Sequence, residues 1–287
     1  FPEMGVELSN KFNWVKERYQ QSSDILGYDI LKKQENPNLL NLTEYSQPAI
    51  FVYTSILIDL FRSKINDSGT NITLAGHSLG EYAALYFANS LVFEDMLRVV
   101  KFRGEAMSIV SDPEKYMMYT ILKKEDQMID NSIFGNGVYL ANLNSDKQIV
   151  ICGLRKELED FKEKHHIGKY IPLSVSAPFH SELMIESSNL FENKISDIVF
   201  KDVDVDVISN HMLINYKNIS KTEYSNQLKV QIHSPVMWSD TIQKIISSKI
   251  DCFVEIGPKK TLLNFIPRNF SGEKIAITNS EEVENYV

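Results

Sequence analysis

Residues 72–81 read Ile72-Thr73-Leu74-Ala75-Gly76-His77-Ser78-Leu79-Gly80-Glu81, and the chain continues Tyr82-Ala83-Ala84-Leu85-Tyr86-Phe87-Ala88. The apolar run predicts a short strand, the alanine-rich stretch a helix, and the Gly-x-Ser-x-Gly between them a nucleophile elbow. Flanking glycines let the chain reverse sharply, which places the Ser78 hydroxyl at a helix N-terminus, where backbone N–H groups face a developing oxyanion. The chemistry so predicted is acyl transfer through a serine ester. The plain alternative is an ordinary strand-to-helix turn carrying a passive serine.

Working outward, residues 7–40 read as helical and polar, and a core helix is predicted from Pro48, suited to a first turn, to Phe61. A polar loop leads to the elbow, and a further helix runs from about Phe93 to Ile109. The character of the chain changes near Ser111-Asp112-Pro113. Strand-like pieces (Tyr116 to Leu122, Val138 to Asn142, Gln148 to Cys152, Tyr170 to Val175) then alternate with helix-like ones (Lys124 to Ser132, Leu154 to His165). The order strand-helix-strand-strand-helix-strand is the split βαβ signature of a ferredoxin-like unit. We therefore expect an α/β protein with an inserted subdomain at 115–177, the larger domain being 1–114 with 178–287. Beyond the insertion, Ser181 to Ile198 reads as a helix and Val203 to Asn210 as a strand. Asp251 to Ile256 reads as a buried strand, and the acidic stretch Ser280 to Asn285 as a solvated tail.

The 287 residues, 43% hydrophobic and 24% charged, describe a globular chain able to bury a sizeable core. Its apolar runs are too short to cross a bilayer, and no secretory signal opens it. A net charge of −8 argues against nucleic-acid binding, which relies on basic faces. Cys152 and Cys252 are the only cysteines. Both lie in apolar strand-like segments without metal-ligand spacing, so two buried free thiols in a reducing, cytoplasmic setting are expected, with no metal and no cofactor.

A serine hydroxyl needs a general base within hydrogen-bond reach. The histidines are His77, His165, His166, His180, His211 and His233. His77 is the elbow's own neighbour and points away, while His165 and His166 end a charged helix, where cations suit the helix dipole. His180 follows the last strand of the insertion, where the chain re-enters the larger domain. From the residues alone His180, His211 and His233 stand level. Arg103 lies on an amphipathic helix among apolar neighbours; it is either a surface partner of Glu105 or Glu81, or a bidentate clamp for a substrate carboxylate.

Several segments in order, Gly76 to Glu81, the Arg103 helix, Ala141 to Ser145, Ala177-Pro178-Phe179-His180-Ser181, Gln231-Ile232-His233-Ser234-Pro235-Val236 and Glu255 to Pro258, resemble malonyl-CoA:acyl carrier protein transacylases. That family includes the acyltransferases of polyketide synthases. The resemblance implies an α/β-hydrolase-like large domain interrupted by a ferredoxin-like subdomain. It implies Ser78 as the acylated nucleophile and His180 as its base, a dyad whose imidazole is oriented by backbone carbonyls near Gln231. Leu79 would offer its N–H to the oxyanion, Arg103 would pair with a malonyl carboxylate, and Phe179 goes with malonyl preference. Ala-Pro-Phe-His replaces the commoner Gly-Ala-Phe-His, and both forms resemble malonyl-selective members.

Family members begin with a strand and a Gly-Gln-Gly-Ser-Gln loop whose glutamine supplies a second oxyanion contact. Phe1 to Leu8 resembles the segment after it, so truncation of the given sequence is expected. Such a donor is typically worth about 3 kcal/mol. The implied partners are malonyl-CoA and an acyl carrier protein, in polyketide or fatty-acid biosynthesis, with the chain a monomer or part of a larger synthase. Two other readings stand beside transfer: a hydrolase releasing stalled acyl groups, whose relatives usually lack the arginine, and a catalytically silent docking domain.

Overall fold

The computed structural model describes residues 4–65, 71–123, 131–175 and 177–286. Short helices α1 (Val6–Lys11), α2 (Asn13–Leu26), α3 (Ile30–Gln34) and α4 (Pro37–Leu40) lead into the long α5 (Thr43–Arg62). This helix starts at Thr43, not Pro48: Tyr45 and Ser46 N–H already bond to the Leu42 carbonyl, so Pro48 deprives only one carbonyl of its helical partner. The early start places Gln47 on the buried face. Most of the helix between Gln47 and Phe61 is buried, as expected of a segment apolar on nearly all sides.

Strand β1 (Thr73–Ala75) feeds the elbow and α6 (Gly80–Phe87), followed by α7 (Phe93–Ser108). A Cβ on Gly104 would lie 3.0 Å from the Glu44 Cα, so its bare backbone lets α7 approach the start of α5.

The inserted unit contains β2 (Tyr116–Lys123), β3 (Val138–Ser145), β4 (Gln148–Leu154), α8 (Arg155–Lys164) and β5 (Gly168–Pro172). Its sheet has the order β3-β4-β2-β5 with every pairing antiparallel, the ferredoxin-like arrangement. The helix expected at Lys124 to Ser132 falls mostly outside the described residues. The last strand ends at Pro172, before the expected Val175. Alternation along β4 sends Ile149 and Ile151 to a core shared with Leu158 and Phe161 of α8, and Val150 and Cys152 to the opposite face with Phe179 nearby.

After the insertion come α9 (Ile185–Lys194), β6 (Asp206–Ile208), α10 (Tyr224–Ile232), α11 (Trp238–Ser247), β7 (Cys252–Ile256), β8 (Glu273–Ile277) and α12 (Ser280–Glu284). The helix expected from Ser181 begins only at Ile185, after a 3-10 turn, because His180 is left-handed (φ 61°) and Ser181 extended. In the larger domain β1 pairs parallel with β6, and β7 parallel with β8. Each residue of β7 is only half-buried, Cys252 included, which corrects the expectation of a buried strand and a second buried thiol; β8 is its single strand partner among the described residues. The acidic stretch at 280–284 is likewise a helix, not a solvated tail. Asn279 caps it and Val283 is buried, and Glu281 and Glu282 sit in the first turn where acidic groups suit the dipole.

The two units are stitched at β3. Val236 N–H bonds to the Ala141 carbonyl and Leu143 N–H to the Val236 carbonyl, both at 2.9 Å, while Met237 N–H bonds to the Asn210 carbonyl at 2.8 Å. No helix among the described residues is long and apolar enough to cross a membrane.

Candidate active site

Ser78 occupies the turn between β1 and α6 with φ 52°, a left-handed conformation that costs a residue bearing a Cβ about 1–2 kcal/mol. Of the two elbow glycines only Gly76 is sterically required, since a Cβ there would lie 2.0 Å from the Gly80 carbonyl group; at Gly80 a Cβ would meet nothing within 4 Å. The turn's strain therefore sits on the serine, and the glycine before it permits strand and helix to touch. Directional bonds hold the strained residue. Ser78 N–H donates to Asn210 Oδ1 (2.6 Å), Asn210 Nδ2 donates to the Gly76 carbonyl (2.6 Å), and Gln231 Nε2 donates to the Ser78 carbonyl (2.9 Å).

His180 Nε2 lies 2.7 Å from Ser78 Oγ, and its Nδ1 lies 3.0 Å from the Gln231 carbonyl oxygen. A carbonyl can only accept, so Nδ1 carries the proton and Nε2 presents a lone pair to the serine hydroxyl. Burial, and next the charge of Arg103, push the His180 pKa down to about 3. The imidazole is thus neutral throughout the ordinary pH range, in the state a general base requires.

Arg103 is 1% exposed, which removes the alternative of a surface ion pair; Glu105 pairs instead with Lys194 at 3.0 Å. Its Nη1 donates to Gln47 Oε1 (2.6 Å) and its Nη2 reaches both Ser78 Oγ (3.0 Å) and Gln231 Oε1 (3.1 Å). Its Nε is buried without a hydrogen-bond partner among the described residues, and the guanidinium lies 5.1 Å from the Tyr82 ring centroid. Burial lowers the Arg103 pKa against the raising effects of Tyr82 and Glu81, and a guanidinium stays charged under such pressure.

Leu79 N–H has no hydrogen-bond partner among the described residues, so it is free to meet an oxyanion. Phe179 is half-buried against both the main core and the insertion. His77 turns away, its Nε2 2.8 Å from Asn144 Oδ1 and its ring edge-on to Trp238. His211 and His233 do not bond to Ser78, and each has a buried Nδ1 without a partner among the described residues. Among the described residues no three His, Cys, Asp or Glu side chains group as a metal site.

Sequence reasoning missed Asn210, Gln47 and the internal role of Glu81. A signal for Asn210 existed: it follows a strand that pairs parallel with β1, and polar side chains at the carboxyl ends of parallel strands line ligand crevices. Gln47 was hidden by the expectation that the helix starts at Pro48.

A strained serine at a strand-to-helix turn, an imidazole on its hydroxyl, an N–H without a partner among the described residues and a buried cation beside it make up the candidate site. The chain belongs to the acyl transferase domain family, whose model matches residues 9–282. It is 32% identical to the malonyl CoA-acyl carrier protein transacylase of Bacillus subtilis (strain 168), over 98% of this chain and 90% of that protein. It is 33% identical to the polyketide biosynthesis malonyl CoA-acyl carrier protein transacylase PksC of the same organism, over 93% and 95%. The crystal structure of the malonyl-CoA:ACP transacylase of Synechocystis sp. PCC 6803 superposes with a TM-score of 0.87 at 30% identity, covering 98% of this chain and 94% of that one.

Proposed function

We propose that the chain transfers malonyl groups from malonyl-CoA to the phosphopantetheine thiol of an acyl carrier protein by a two-step Ser-His mechanism. The observation that carries this reading is Arg103, a buried guanidinium 3.0 Å from Ser78 Oγ, on whose fork no carboxylate sits among the described residues. His180 Nε2 takes the Ser78 proton as Oγ attacks the thioester carbonyl, and the oxyanion is met by Leu79 N–H. Collapse expels the CoA thiolate, which takes the proton from His180. In the second step the carrier thiol gives its proton to His180 and attacks the ester, and Ser78 leaves with that proton restored.

A malonyl carboxylate would find in Arg103 a desolvated, bidentate partner. Pairing would also offset the positive charge that depresses His180, so the substrate's own anion strengthens the base. An acetyl group offers neither effect. The large domain at 1–114 with 178–287, the subdomain at 115–177, a monomer or part of a larger synthase, and a cytoplasmic place in polyketide or fatty-acid biosynthesis belong to the same proposal.

The test is intact-mass analysis after incubation with malonyl-CoA. A persistent gain of about 86 Da on Ser78, discharged by a holo acyl carrier protein, is the expected result of covalent catalysis. Rapid release of free malonate without carrier-dependent transfer would make the protein a hydrolase, and no labelling would make it a silent domain.

A further inference from the structure

Glu81, three residues after the nucleophile, is a carboxylate buried to 1% exposure. Its Oε1 accepts from the Tyr216 hydroxyl (2.5 Å), and its Oε2 accepts both Asn210 N–H (3.1 Å) and Gln231 Nε2 (2.8 Å). Those two Oε2 donors belong to the residues that hold Ser78. Asn210 grips the serine's N–H and Gln231 its carbonyl, and Gln231 also supplies the backbone oxygen to which His180 Nδ1 donates. The orientation of the Gln231 amide is fixed independently. Flipped, it would set its oxygen against the Ser78 carbonyl and its NH2 against Arg103 Nη2.

One carboxylate oxygen thus ties Asn210, two residues past the end of β6, and the helix α10 to the elbow, three segments far apart in sequence. Both halves of the dyad depend on it: the left-handed Ser78 backbone is clamped through Asn210 and Gln231, and the His180 ring is aimed by the Gln231 carbonyl. Each clamp hangs on the same acceptor, so neither can shift alone. Burial pushes the Glu81 pKa up, while its hydrogen bonds and Arg103 pull the other way.

We propose that Glu81 is a positioning residue of this centre: by accepting Asn210 N–H and Gln231 Nε2–H at one oxygen, it holds Ser78 and His180 in reacting register. This rests on the reading of Ser78 and His180 as the acyl-transfer dyad. Glu81 touches no substrate, and it serves malonyl and acetyl transfer alike. What it provides is acceptor geometry.

Two rates on the full chain test it: single-turnover malonylation of Ser78 by malonyl-CoA, and sulfonylation of Ser78 by phenylmethylsulfonyl fluoride, which needs the activated serine but no acyl-CoA site. Glu81→Leu, shown to be folded by near-UV circular dichroism, should lose about 100-fold in maximal rate of malonylation and in sulfonylation, with half-saturating malonyl-CoA within about threefold of the original. Glu81→Gln keeps one oxygen for both N–H groups and lets its amide donate to the Tyr216 oxygen, so it should remain within about fivefold. Should Glu81→Leu not fold, Asn210→Ala removes the acceptor of Ser78 N–H without touching the carboxylate, and a comparable loss is expected. A native rate in folded Glu81→Leu or Asn210→Ala, a loss confined to half-saturation, or a Glu81→Gln as slow as Glu81→Leu would overturn the proposal. If the parent protein is sulfonylated on Ser78 but never malonylated, the substrate reading fails, and Glu81 is judged on the sulfonylation rates.

Discussion

The interior around Ser78 and the interior of the inserted subdomain are built by opposite means. In the subdomain, Ile121, Ile149, Ile151, Leu158 and Phe161 pack as an apolar core, and β3 and β4 pair as neighbours in the chain. Around Ser78, Gln47, Glu81, Arg103, Asn210 and Gln231 are all buried and are bonded across separations of 56 to 150 residues. The first kind of interior is non-directional and tolerates shape-preserving changes. The second fixes atoms in place, and each unpartnered group left behind in it is expensive. The proposed chemistry lies in the costly interior.

That contrast can be broken, beginning with its largest expected effect. Ser78→Ala should abolish the malonyl adduct and lower loading by about 10⁴-fold or more, as removal of a serine nucleophile does elsewhere; residual loading would place the ester on another residue. Arg103→Ala should lower the malonyl-to-acetyl loading ratio about 100-fold, measured in parallel single-turnover reactions, because the site then lacks its anion partner. An unchanged ratio would remove the clamp from the mechanism.

In the other interior, Ile151→Ala should lower unfolding free energy by about 2–5 kcal/mol in urea titration. Loading per folded molecule should stay within about twofold, since the mutation is remote from the directional network. A large loss would show that the two interiors are coupled. Lowering the pH sharpens the same point. His180 resists protonation when folded, its pKa standing at about 3 against an ordinary 6.5, so in this window the unfolded chain binds more protons. The stability associated with neutral His180 is complete above pH 6.5 and is lost progressively toward pH 3, while loading should show no inflection near pH 6.5 from protonation of the base. His77, His211 and His233 are shifted in the same direction. Smallest of all, Gly80→Ala should change stability by less than about 1 kcal/mol and leave loading intact, whereas Gly76→Ala should disrupt both.

Much of this was legible in the chain itself. The elbow, the four strands of the insertion and the helix before its last strand follow from short-range patterns. From the residues alone, however, His180, His211 and His233 stood level, because what separates them is which one faces Ser78 across 102 positions, and no local pattern carries that. From the residues alone Arg103 read more readily as a surface partner of Glu105 or Glu81: its amphipathic helix gives no sign that α5 closes over it and meets it with Gln47. The half-burial of β7 was illegible because composition reports how apolar a strand is, and its neighbours decide how well it is covered.

The separation of Ser78 from His180 has a further consequence. The elbow is a local structure, whereas His180, its proposed base, arrives only after an entire subdomain has been traversed and its edge stitched to Val236. Loading therefore works as a gauge of complete tertiary assembly. During refolding, helical circular dichroism should recover first and acyl acceptance last, and a chain still open at the seam carries a serine that reacts with nothing.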